Sequence, residues 1–267
     1  MSNPAFFNFV ALASLVPAAL VSLRRDQQGK DGLFFAVLGV AIAGPLIWAA
    51  VQLSDQWRTG LSTTLWVIIA GSLVLFGLLV ATVRQAWRLT PLLLPYLMLL
   101  GVLAALFDQV QGRSLAPEAP LAWREAHILV AVATFGFFTM AAVAALAGFL
   151  QERALKTKRP TSLTRALPSV ADSETLANRL LAASELVLGI GLVTGMTTLY
   201  LETGSMLVFS HKIVLSILVF VMIGALLIGH QVCGVRGRWA ARLVMVAYLL
   251  LMLALPGVKF VRDVLLS

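Results

Sequence analysis

Eight stretches of this 267-residue chain are each apolar for about the twenty residues that a helix needs to cross a bilayer. They run over 4–22, 33–53, 63–83, 91–107, 127–150, 177–200, 206–229 and 239–258. Each must be helical, because lipid offers no partner for backbone polar groups. Only 12% of residues are charged and the mean hydropathy is +0.94, against about 25% charged in a soluble domain. Too few charges remain to cover a water-facing surface. The fold class expected is an all-α polytopic membrane helix bundle of about eight spans, forming one integral membrane domain over 1–267. No loop is long enough to fold alone. The first span lacks a basic leader and an A-x-A-like cleavage site, so it reads as retained.

The net charge of +8 is distributed by side. Lys and Arg crowd the loops after spans 1, 3, 5 and 7, whereas Arg58, Arg113 and Arg124 alone occupy those after spans 2, 4 and 6. With Arg179 and Arg242 at the adjoining span ends, 14 basic residues stand on one side against 3 on the other. The positive-inside rule then puts the first set of loops in the cytoplasm, with N-out and C-out termini. Basic charge used this way is topology and gives no reason to expect nucleic acid. Cys233 is the lone cysteine. No CxxC or CxxCH occurs, so neither thiol redox chemistry nor covalent haem attachment is supported.

The longest cytoplasmic connection, about 152–176, should continue span 5 as helix, break at Pro160, and enter span 6 through an acidic turn at Asp172 and Glu174. In the outer connection of about 108–126, Pro120 suits the first position of a helix. Span 5 would then open with Trp123 at the membrane interface. Gly191-x-x-x-Gly195 in span 6 reads as a small-residue packing face. Pro17, Pro45, Pro95 and Pro256 are expected to kink helices or mark unwound ends.

Little in the spans can do chemistry, which turns attention to the three histidines. Spans 5 and 7 run in the same direction. His127 lies roughly 10 Å along one, and His211 roughly 10 Å along the other if span 7 starts near Gly204. Two imidazoles at matched depth in an apolar setting are a common means of holding a haem iron or another transition metal. The bland alternative is that each sits at headgroup level, as Trp and Tyr do. Lys212 is placed to snorkel outward or to offer a cation to an anionic group such as a haem propionate. Arg124, Glu125 and Glu202 line the same rim. His230 follows His211 by 19 residues, about 28 Å of straight helix, and is a separate inner-side candidate. Glu185, read as two turns into span 6, would pair with Arg179 or another span, or be stabilised near a helix N-terminus. No Walker motif, HExxH or nucleophile elbow occurs, so no enzyme is expected.

Three stretches resemble the cytochrome c assembly family of haem-handling membrane proteins, over about 60–265. They are His127-Ile-Leu-Val with Leu150-Gln151-Glu152-Arg153-Ala154-Leu155-Lys156; Leu176-Ala177-Asn178-Arg179 with Gly191 to Gly195; and His211-Lys212, Gly229-His230, Gly234-Val235-Arg236-Gly237-Arg238 and Gly257-Val258-Lys259. The pattern looks closest to the CcsA/HemX-like proteins, in particular the YpjD-like group of the bacterial inner (plasma) membrane. The resemblance implies non-covalent, b-type haem held near the outer face and used in cytochrome c assembly. His127 would be the first outer axial ligand, and His230 corresponds to a histidine within the membrane. Membrane lipid, apocytochrome c and other maturation proteins are the implied partners. Two family features have no counterpart: Met196 to Ser205 holds no tryptophan, and Lys259 to Ser267 no histidine. His211 is proposed as the second ligand on depth alone. Cofactor binding is therefore assigned to His127, His211, Lys212 and Trp123, with His127 and His211 on the iron.

Two other readings share these residues. One is a transporter or regulatory subunit for a small, divalent ion, using Glu185, Asp108 and the histidines. The other is a ligand-less structural partner with the same fold.

Overall fold

A computed structural model describes residues 4–24, 31–54, 60–108, 121–203, 211–235 and 237–261. The side chains of Arg124, Glu202, His211 and Lys212 lie outside the described residues, as does Pro120. The helices are α1 (Pro4–Arg24), α2 (Gly32–Ser54), α3 (Leu61–Thr82), α4 (Thr90–Leu106), α5 (Leu121–Thr157), the short α6 (Ser162–Ala166), α7 (Val170–Thr203), α8 (His211–Val232) and α9 (Arg238–Met252). No strand occurs among the described residues. Among the described residues, eight helical segments are long and apolar enough to span a membrane, and each overlaps a span that the sequence predicts.

Two helices greatly exceed their apolar cores. α5 has 37 residues and α7 has 34, because each continues as a charged helix beyond the hydrocarbon-matched stretch. α5 ends at Thr157 and Lys158 takes a left-handed φ of 52°. Arg159 N–H bonds back to the Ala154 carbonyl at 3.2 Å, which satisfies an end carbonyl of α5. Thr161 and Thr164 cap α6 reciprocally. The Asp172 N–H donates to the Ser169 hydroxyl at 3.1 Å at the start of α7. The break at Pro160 and the acidic turn are therefore as expected.

α5 is the hub. Phe138, Ala141, Ala144 and Ala147 are fully buried, and the helix packs on α3, α4, α7 and α9. A helix that is apolar all round belongs inside a bundle. Lipid supplies no hydrophobic drive between helices, so close packing and interhelical hydrogen bonds must hold them. Gly71 of α3 lies under Val132, and a Cβ on Gly136 of α5 would come 2.5 Å from Leu75 of α3. These two glycines let α3, from the first half of the chain, meet α5, from the second.

Polar side chains tie the rest. Asn8 Oδ1 on α1 accepts the indole N–H groups of Trp48 (2.8 Å) and Trp66 (2.7 Å), joining α1, α2 and α3. Indole only donates, so this carbonyl oxygen is fixed in orientation. The Tyr248 hydroxyl on α9 lies 2.6 Å from that of Tyr96 on α4 and 2.8 Å from Thr139 Oγ1 on α5. Pro17, Pro45 and Pro95 lie inside continuous helices. Only Pro256 coincides with a change of winding, in the π turn Leu253–Gly257 that follows α9.

Candidate functional site

α5 carries Trp123 and His127 four residues apart, hence on one face. That face meets α7. Trp123 Nε1–H donates to the Thr194 carbonyl at 3.3 Å, and His127 Nδ1 lies 2.9 Å from Thr194 Oγ1. The Thr194 hydroxyl also reaches the Gly191 carbonyl at 3.1 Å, and when it donates its single proton there it accepts from His127. In that arrangement Nδ1 carries the proton and the ring lone pair is on Nε2. A Cβ on Gly195 would lie 3.0 Å from His127 Cε1, and one on Gly191 would lie 3.4 Å from Val130. The glycine face does pack helices, as the sequence suggests. It also does something the spacing did not reveal, which is to make room for the imidazole.

With Nδ1 as the donor, the ring N–H is held by an acceptor as in a metal-bound histidine. His127 is six residues into α5, about 9 Å. His211 is the first described residue of α8, and the expected start of that span near Gly204 lies outside the described residues. The expectation that His127 and His211 lie at matched depth therefore falls outside the described residues. Among the described residues no three His, Cys, Asp or Glu side chains converge on a metal position. Haem asks less of the protein, one or two axial nitrogens.

His230, at the end of the bundle with the basic loops, is held differently. Its Nδ1 lies 3.0 Å from the Val235 carbonyl, which can only accept, so Nδ1 carries the proton. Its Nε2 lies 2.9 Å from Asn178 Nδ2 on α7, an amide donor. Both nitrogens are thus engaged by protein groups, and the ring clasps the α8–α9 turn to α7. The same end explains the Gln151-Glu152-Arg153 sequence. Gln151 Nε2 donates to the Thr164 carbonyl at 2.6 Å and reaches those of Leu167 and Pro168. Glu152 pairs with Lys156 at 2.5 Å and with Arg238 of α9 at 3.4 Å. Glu174 accepts the Gly237 N–H at 2.9 Å, where the glycine φ is +71°. A small open cleft lies between α5, α7, α8 and α9 here, with His230, Asn178 and both glutamates in its wall.

Glu185 is neither near a helix start nor paired with Arg179. α7 begins at Val170, which leaves Glu185 about 22 Å along the helix. Its Oε2 is buried and has no hydrogen-bond partner among the described residues. Sequence reasoning missed Thr194, Asn178, Tyr96 and Tyr248 as partners. The only signal was their being hydrogen-bonding residues in apolar spans.

No solved structure matches the chain. An Azospirillum brasilense protein described as "Uncharacterized 28.8 kDa protein in nifR3-like 5'region" is 53% identical over 271 residues, covering 100% of both chains. The family described as cytochrome C assembly protein matches residues 29–266, reaching further toward the N-terminus than the motifs alone suggest. With that span covering most of its length and eight membrane-crossing helices, this multi-pass membrane protein belongs to the cytochrome c assembly protein family.

Proposed function

We propose that the protein binds b-type haem non-covalently at the Trp123–His127 end and handles it during cytochrome c assembly. It would do so in the bacterial inner membrane, as a member of the YpjD-like group. That end faces outward in this reading, with both termini outside, on the strength of the basic-loop asymmetry. The observation that carries the proposal is the 2.9 Å contact of His127 Nδ1 with Thr194 Oγ1: a hydroxyl that donates to the Gly191 carbonyl accepts from Nδ1–H, which orients the ring and puts its lone pair on Nε2. Bound haem supplies an iron that takes up axial nitrogen. The chain's own residues position that nitrogen: Thr194 orients the ring, Gly195 leaves it space and Trp123 fixes the first turn of α5 on α7. His211 is the proposed second ligand, with Lys212 for a propionate. Apocytochrome c, other maturation proteins and lipid are the partners, and the reading gives the protein no catalytic step.

The absorption spectrum of the purified protein tests this. A Soret band with bis-histidine features is expected. A colourless protein stabilised by a divalent ion would support the transporter reading instead. One that responds to neither would be a structural partner. Reporter fusions in 152–176 should give cytoplasmic signals, and periplasmic signals there would turn the His127 end inward.

A further inference from the structure

Glu185 is the midpoint of the 31-residue apolar segment Val170–Tyr200. Its carboxyl is set into the seam between α7 and α8: Oε1 lies 3.1 Å from where a Cβ on Gly224 would be. Glycine at 224 makes the space. A carboxylate in an apolar seam needs donors for its oxygens, and Oε2 has none among the described residues. A carboxylic acid brings its own proton.

The same face of α7 leads from Glu185 to the basic-loop end. Leu181 is about one turn away and Asn178 about two, roughly 10 Å. Leu181, Asn178, Leu226 and His230 all line the open cleft, so its inner wall stops about one turn short of Glu185. From Ile213 to Gly229 α8 carries no titratable side chain, nor does α5 from Ile128 to Leu150. The titratable groups near this route are His230 on α8, Glu174 on α7, Glu152 on α5 and Arg238 on α9, all toward the basic-loop end.

From this geometry we infer that Glu185 is a proton-binding site within the membrane, loaded and unloaded from the basic-loop end through the Asn178–His230 cleft. One O–H bond forms on the carboxyl as one breaks in water, and the reverse, with no change of oxidation state. The inference is independent of any ligand at His127.

Infrared spectroscopy of the full chain in lipid vesicles tests it. The wild type should show a carbonyl stretch from a protonated carboxyl, which is lost in Glu185→Gln. Transfer to D₂O should shift the band. Filling the cleft from either wall, with Ala177→Leu or Ala241→Leu, should slow that shift at least 10-fold. In the unaltered protein, dicyclohexylcarbodiimide, which adds to protonated carboxyls in apolar surroundings, should label Glu185, as located by mass spectrometry. Identical wild-type and Glu185→Gln spectra, an unlabelled Glu185, or exchange as fast with the cleft filled as with it open would each overturn the proposal.

Discussion

His127 and His230 lie at opposite ends of the bundle, and each touches α7 through one polar residue, yet they are set up for different work. Thr194 holds one nitrogen of His127 through its hydroxyl. Asn178 and the Val235 carbonyl together engage both nitrogens of His230. A histidine in a membrane helix is therefore not a ligand by virtue of its position. What its two nitrogens already do decides how readily a metal is accommodated. For His230, a metal would have to displace the Asn178 amide from Nε2. For His127, the described partner reinforces ligation.

Four substitutions press on this difference. Gly195→Leu should have the largest effect on haem binding. Even its Cβ would lie 3.0 Å from His127 Cε1, and the rest of the side chain would drive the ring off Thr194, so a haem titration should show affinity falling at least 100-fold. Thr194→Val keeps the shape and removes the acceptor, and loss of such a supporting partner costs about 10–100-fold in affinity. Wild-type affinity in Thr194→Val would deny the hydroxyl its orienting role. At the other end, Asn178→Leu should leave the haem spectrum unchanged and destabilise the protein by about 1–3 kcal/mol, since His230 Nε2 loses its donor. A thermal melt in detergent measures that. Tyr248→Phe removes the hydroxyl shared by Tyr96 and Thr139. It should cost about 1 kcal/mol, typical of hydrogen bonds between membrane helices, with both histidines unaffected. A changed haem spectrum in Tyr248→Phe would show that the two ends are not energetically separate.

The helices were legible because hydrocarbon thickness and backbone satisfaction allow few alternatives. Their ends were less so. The Glu152–Lys156 stretch, expected to continue span 5 as helix, does so with its own ion pair, but α7 starts at Val170 and not at 177, which puts Glu185 toward mid-membrane. His127 was visible as a rare polar residue in an apolar run. Thr194 was not, since threonine is common in such helices and only the rotation of α7 about its axis brings it to the imidazole. His230 was legible as a separate inner-side histidine, but what holds it was not. Its engagement depends on the turn at Cys233–Val235, which brings a carbonyl back to the ring.

The central claim is that the His127 end, and not the His230 end, is arranged to ligate iron. Haem content and absorption spectra of purified His127→Ala and His230→Ala, beside the His127→Ala, His211→Ala double variant, test it most directly. The account predicts a lost or altered Soret band in His127→Ala, partly restored by added imidazole, and a wild-type spectrum in His230→Ala. Unchanged haem content in the double variant, or loss of the band in His230→Ala alone, would contradict it.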